Sequence, residues 1–233
     1  MTEFRSSNPI FVALDVRSVE QAQALAMAVK PYVGGLKVGL EFINACGPEG
    51  VRKIIALGLP VFIDVKLHDI PNTVAAAIRS LSPLAPAFIN VHASGGSAMM
   101  QAAAKAAGEF MPRPKLLAVT VLTSLEAADL ETLGVSCTPI EQVLRLARLA
   151  QDAGLDGVVC SPQEVSEVRS ACGPDFLIIT PGIRPAGATL GDQRRVMAPV
   201  DALAAGANFL VIGRPITAEA DPAAVAKTII EDL

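Results

Sequence analysis

The stretch "FIDVKLHDIPNT" (62–73) places Asp64, Lys66, His68 and Asp69 where a buried strand would ordinarily continue with Val or Ile. Charges in such a place cost folding free energy unless they are paired, so their presence points to chemistry. Asp64 and Lys66 are two apart; in a strand they project to one face, with Cα atoms roughly 7 Å apart. An ammonium fixed among carboxylates can stabilise developing negative charge and then give up a proton. Similar polar residues end other apolar runs. Asp15 closes "IFVALD", and Lys37 interrupts "GLKVGL" between glycines that leave room around it. Asn90 and His92 share a face of "FINVHAS", and Thr123 ends "LLAVTVLT".

Each residue also admits a plainer reading. Asp15 could cap the following helix, Asn90 and His92 could be hydrogen-bonded scaffold, and His68 could be turn chemistry. Lys37 could lay its stem over apolar surface. Asp64 with Lys66 could be a buried ion pair, but such pairs stabilise weakly and often cost more than they return. Two lysines and two aspartates from neighbouring strands exceed what stability requires, and the set reads as a site.

The elements that must hold these residues repeat one theme: a short apolar run, a small or polar turn, then a helical pattern. Strand candidates span 10–16, 35–40, 61–67, 88–94, 116–123, 157–161, 176–183 and 209–216. Between them lie Ala- and Leu-rich segments with helical spacing, such as "IEQVLRLARLAQDAG". Thr138-Pro139-Ile140-Glu141 and Ser161-Pro162-Gln163-Glu164 each offer an N-cap, a first-turn proline and a capping-box Glu, and Asp221-Pro222 repeats the cap and proline. Eight strands alternating with helices in 233 residues predict a single (β/α)8 TIM barrel over 1–233. The rival is an open doubly wound sheet, but the first strand–helix turn, "LDVRSVE", has no G-x-G-x-x-G. In the barrel, Val61, Ile63, Val65 and Leu67 are expected to face the helices and Phe62, Asp64 and Lys66 the interior. Late strand positions then fall where such a barrel keeps its active site.

The last two strands lead into "TPGIRPAGATLGDQRR" and "VIGRPI". Loops after the seventh and eighth strands commonly bind phosphate in these barrels. Glycine exposes backbone N–H groups to an anion, and arginine adds charge-assisted hydrogen bonds. Gly213-Arg214 fits this directly. Pro185 to Asp192 has the Gly, Ala and Pro content of a lid, with Arg184 and Gln193 at its two ends and Arg194 and Arg195 just beyond. A small phosphorylated substrate is expected.

Composition narrows the class. Hydrophobic residues make up 52% of the chain, in blocks too short for a membrane span, which suits strands buried on both faces. The start, "MTEFRSSNPI", lacks a signal-peptide pattern. Four cysteines without C-x-x-C spacing read as free thiols in a reducing cytoplasm. Net charge is −4, with no basic run, no Trp and one Tyr, so a nucleic-acid partner is not expected.

Together these motifs resemble the orotidine 5'-phosphate decarboxylase family of bacterial type. "ALD", "LKVG", "DVKLHDIPNT", "NVHASGG", "VTVLTS", "DGVVCS", "TPGIRP", "GDQRR" and "VIGRPIT" occur in order along nearly the whole chain. D-x-K-x-x-D alone marks a wider superfamily; with Lys37 and the "PGIRP…GDQRR…IGRP" end it becomes specific. The resemblance implies decarboxylation of orotidine 5'-phosphate to UMP and CO2, the last step of UMP synthesis, with no cofactor and no metal. It implies a charged network of Lys37, Asp64, Lys66 and Asp69, with Lys66 protonating C6 of the pyrimidine and Asp64 beside the substrate carboxylate. Asp15 and Lys37 would contact the ribose and Thr123 the pyrimidine. Arg184, Gln193, Gly213 and Arg214 would hold the phosphate. Asp69 and Thr73 would come from the partner subunit of a homodimer.

Two alternatives stand beside it. A metal-dependent decarboxylase of 3-keto-gulonate 6-phosphate type uses the same D-x-K-x-x-D strand, but its relatives place an acidic metal ligand near the position Lys37 takes here. A non-catalytic nucleotide-phosphate sensor would need the arginines but not the Lys-Asp-Lys-Asp set.

Overall fold

Apolar runs that are hydrophobic on both alternate faces need a layer on each side, and here they form eight parallel strands closed into a barrel in sequence order. The computed structural model describes residues 8–185 and 195–233. The strands are β1 (Ile10–Ala13), β2 (Gly35–Gly39), β3 (Val61–Leu67), β4 (Phe88–His92), β5 (Lys115–Val119), β6 (Gly157–Val159), β7 (Leu177–Thr180) and β8 (Phe209–Ile212). Around them run α1 (Val19–Val29), α2 (Leu40–Ile55), α3 (Pro71–Ser80), α4 (Gly96–Ala107) and α5 (Ala127–Thr132). The ring continues with α6 (Pro139–Asp152), α7 (Val165–Cys172), α8 (Pro199–Ala204), α9 (Arg214–Thr217) and α10 (Pro222–Glu231).

Alternation divides the core in two. Ile10, Val12, Leu36, Val38, Ile63, Ile89, Val91 and Leu210 pack outward against the helices. Phe11, Phe62, Phe88, Leu117, Val159, Ile179 and Phe209 fill the barrel itself. The Phe88 ring meets Phe11, Phe62 and Phe209 edge-on at 5.4, 6.0 and 5.5 Å between centroids. Gly35 makes room for this plug, since a Cβ there would lie 2.2 Å from the Phe11 ring. The glycine before Lys37 thus serves Phe11, not the lysine.

The predicted caps form. Thr138 and Glu141 build a capping box at α6, and Asp221 accepts the Ala224 amide at α10. Ser161 and Glu164 build another, but it opens a single 3₁₀ turn, Pro162–Glu164, ahead of α7.

The strands are shorter at their C-terminal ends than the apolar runs suggest. β1 stops at Ala13, β5 at Val119 and β8 at Ile212, and Arg214–Thr217 is already helical. Beyond the ladder the chain turns into the loops that build the upper face, which carries Asp15, Thr123 and Arg214 past the strand ends. The facing expected in β3 holds to its end, with Val61, Ile63, Val65 and Leu67 on the helix-side core and Phe62, Asp64 and Lys66 at the cavity, but the ladder to β4 does not stay regular. The β3–β4 register shifts between Ile63 and Leu67, and Lys66 takes φ 50°. A left-handed non-glycine residue costs about 1–2 kcal/mol, so the surrounding structure must impose it.

Candidate active site

A cavity of about 610 Å³ opens at the C-terminal ends of the strands, lined among others by Asp15, Lys37, Asp64, Lys66, Thr123, Arg184, Gly213 and Arg214. Its charged side is a chain of ions from three consecutive strands and their ends. Lys37 Nζ stands 3.0 Å from Asp15 Oδ1 and 3.4 Å from Asp64 Oδ2. Lys66 Nζ donates to Asp64 Oδ1 at 2.6 Å. The order Asp15–Lys37–Asp64–Lys66 alternates in sign, so each interior charge has opposite neighbours.

The fold makes space for this array. A Cβ on Gly39 would lie 2.8 Å from Lys37 Nζ and 3.2 Å from Asp15 Oδ1, so a side chain there would push the ammonium and its carboxylate partner aside. Asn90, fully buried on β4, ties the array to the scaffold. Its Nδ2 donates to Asp64 Oδ1 at 2.7 Å, while its Oδ1 accepts the Lys66 backbone N–H at 2.7 Å. That second bond fixes the left-handed turn, and the first fixes its carboxylate partner.

Burial alone would push the Asp64 carboxyl up, but Lys37, Lys66 and the hydrogen bonds from Lys66 and Asn90 outweigh it and hold the group below the ordinary carboxylate range. Burial likewise opposes the Lys37 ammonium, and Asp64 and Asp15 overcome it, so Lys37 is raised. The two lysines differ in access. The Lys37 side chain is 10% exposed and that of Lys66 30%, so Lys66 is the ammonium a bound molecule can reach.

The opposite side is cationic. Burial and the neighbouring Arg214 guanidinium both lower Arg184, as expected of two cations sharing a partly desolvated space. An anion between them would relieve both. The Arg184 amide donates to Met197 O at 3.0 Å, and Gly182, at φ 77°, accepts from Met197 N, which anchors this segment of chain.

Several expected residues lie elsewhere. Gln193, Arg194 and most of the 185–192 stretch fall outside the described residues. Arg195 turns away from the cavity, pairing with Glu164 and donating to Leu122 O at 3.0 Å. It is a buried strut between loops; of the arginines around this stretch that are described, Arg184 is the one at the cavity. Asp69 accepts the Ile70 amide at 2.6 Å, and neither it nor Thr73 lines the cavity of its own chain. Both are exposed, beside an Ile70 that is 67% exposed. His68 and His92 lie behind Lys66 with ring centroids 5.6 Å apart.

Sequence reasoning passed over Glu41, Ser124, Pro181 and Gly182, all at the cavity. Ser124 and the Pro-Gly pair sit inside motifs noted for their neighbours, "LTS" and "TPGIRP"; Glu41 carries no such signal. The arrangement as a whole can bind an anion at one end, hold an ammonium against a reacting carbon at the other, and keep a carboxylate beside it.

Comparison with known proteins points to one family. The sequence model of the orotidine 5'-phosphate decarboxylase/HUMPS family matches residues 8–229. An orotidine 5'-phosphate decarboxylase of Paramagnetospirillum magneticum is 51% identical over 231 residues, covering 97% of this chain and 98% of the relative. One from Moorella thermoacetica is also 51% identical, covering 100% and 95%. The crystal structure of the orotidine 5'-phosphate decarboxylase from Lactobacillus acidophilus superimposes with a TM-score of 0.84 at 38% identity, covering 97% of this chain and 98% of that one.

Proposed function

We infer that this chain, which belongs to the orotidine 5'-phosphate decarboxylase/HUMPS family, is a carboxy-lyase that converts orotidine 5'-phosphate to UMP and CO2, the last step of UMP biosynthesis. One observation carries the assignment of roles: an alternating Asp15–Lys37–Asp64–Lys66 array at one side of a cavity whose other side holds Arg184 and Arg214. The anion at the cationic end is the 5'-phosphate, held by Arg184, Arg214, the Gly213 backbone and Gln193. Asp15 and Lys37 take the ribose and Thr123 the pyrimidine.

Loss of CO2 from C6 leaves a carbanion that the uracil ring delocalises poorly. The chemistry therefore rests on electrostatics: the Lys66 ammonium stands where negative charge develops and then gives its proton to C6. Asp64, kept ionised by its two lysines, is unfavourable beside the substrate carboxylate and is relieved as CO2 leaves. Phosphate binding far from C6 supplies binding energy that positions the ring against Lys66. No external electron sink enters this scheme, and no metal is needed to stabilise charge that Lys66 already meets. Lys37 adds to this, because its ammonium stands between the two carboxylates a divalent cation would require.

The site is completed in a homodimer, with Asp69 and Thr73 entering the neighbouring subunit's cavity. Their exposure, their absence from their own chain's cavity lining, and the apolar Ile70 between them support this reading. The four cysteines are free thiols, in keeping with a cytoplasmic enzyme, and no helix among the described residues is long and apolar enough to cross a membrane.

The deciding experiment follows the absorbance of orotidine 5'-phosphate with EDTA present. Turnover is expected; its absence from folded protein would sink the assignment, and strict dependence on Mg²⁺ would favour the metal-dependent branch of the superfamily. Mixing Asp64→Ala chains with Asp69→Ala chains tests the shared site. Mixed dimers should regain one intact site each, so activity that stays absent after subunit exchange would argue against sharing.

A further inference from the structure

Lys66 is kept in a left-handed turn, φ 50°, and Asn90 holds that turn only at its amide. Two residues further on, the His68 ring lies over the His92 ring, with centroids 5.6 Å apart and planes tilted by 35°. His92 is the last residue of β4 and Asn90 lies two before it, so β4 grips the bulged end of β3 on both sides of Lys66. The far side is shaped to admit the pair. A Cβ on Gly95 would stand 3.2 Å from His68 Cδ2 and 2.2 Å from Met99 Cε. Neither imidazole lines the cavity, and His92 Nδ1 is buried with no hydrogen-bond partner among the described residues. A ring with an idle buried nitrogen contributes through its face.

We propose that His68 and His92 form a positioning clasp, two imidazoles in ring contact that hold the left-handed turn of Lys66 and so keep its ammonium on Asp64 at the cavity. The clasp rests on the decarboxylase reading for its effect on turnover, but not for its existence. It also carries a sensitivity to acid. The charged and titratable groups around His92 are Lys66 and Asp64 on β3 and His68 in the turn, where the Asp69 carboxylate is engaged by the Ile70 amide. Gly95 and Met99, on the α4 side, bring none. Burial first, then His68 and Lys66, lower the His92 imidazole below its ordinary value, with Asp64 opposing. Protonation would set one cation against the His68 ring and near the Lys66 ammonium, so the clasp loosens as the pH falls through the lowered His92 value.

Steady-state kinetics of His92→Ala and His92→Phe, from about pH 5 to about pH 8, test this against the unmodified chain. His92→Ala removes the ring and should lower kcat about tenfold or more near neutral pH, with UMP affinity within about threefold. His92→Phe keeps a ring against His68 that cannot ionise. Its kcat should stay within about threefold of the parent's, and its decline toward acid should move to lower pH. Unchanged kcat in His92→Ala, equal losses in both variants, or an acid limb that does not move in His92→Phe would each overturn the clasp. Imidazole NMR reads the pair without turnover: the His68 ring resonances should move in His92→Ala, and unaltered His68 resonances would show that the rings are not in contact. If the parent does not turn over orotidine 5'-phosphate, the decarboxylase reading fails while the imidazole resonances still decide the pairing.

Discussion

At the N-terminal mouth of the barrel, Asp156 takes Arg113 at 2.8 Å, Lys115 at 3.2 Å and the Leu116 backbone amide at 2.8 Å. Nearby, Arg169 donates to the carbonyls of Gly173, Pro174, Phe176 and Gly206 and to Asn208 Oδ1. At the C-terminal mouth, Asp64 takes Lys37, Lys66 and Asn90. Both mouths hold partly or fully buried ions, yet the lower set also binds backbone, through the Leu116 amide and the four carbonyls that Arg169 meets. The upper set bonds to its own charges and to the Asn90 side chain, and it lines a cavity. Ions tied to backbone fasten strand ends together; ions tied to one another at a cavity remain available to a ligand.

The sharpest way to break this contrast is Lys66→Ala. It should reduce kcat by about 10³-fold or more while UMP still binds, and a variant that turns over normally would remove Lys66 as the acid. At the other mouth, Arg169→Met strips five acceptors at once. It should cost about 2–4 kcal/mol in urea unfolding yet leave kcat within about twofold. A large loss of activity at full stability would mean that the two mouths are not separate in role. The smallest effect concerns acid. Burial raises the Asp156 carboxyl, but Arg113, the Leu116 amide and Lys115 outweigh it and hold it below its ordinary value. Its folded value is depressed, so its stabilisation is full above the unfolded value of about 3.9 and is lost as the pH falls through the folded one. Asp156→Asn should therefore be less stable than the parent at neutral pH by about 1–2 kcal/mol, with the gap closing below about pH 4. A gap that persists unchanged into acid would show that the charge is not what stabilises this end.

Much of this could be read from residue order alone, because buried parallel strands and their caps are local signals. Asp15, Lys37, Asp64, Lys66, Thr123, Arg184 and Arg214 were legible as a group because charged or polar residues seldom close one apolar run after another for the sake of stability. Three things were not. The bulge at Lys66 depends on pairing with β4, and period-two spacing carries no trace of it. Arg195 looked like Arg184 and Arg194, its fellow arginines around the same stretch, yet its partner Glu164 is 31 residues away in sequence. Gly35 and Gly39 flank one lysine with the same residue type, but one makes room for a phenylalanine ring and the other for the ammonium.

The four phenylalanines that plug the barrel have a consequence beyond packing. They form an apolar plug on the inward face below the Asp15–Lys37–Asp64–Lys66 layer, with Phe62 reaching the cavity itself, where water would otherwise screen those charges from below. Field lines that cannot spread downward are directed into the cavity, where low-dielectric walls concentrate them. Phe62 and Phe88 thus act as insulation for the array above, and a polar residue in their place would dim the field at the reacting carbon without touching any charged group.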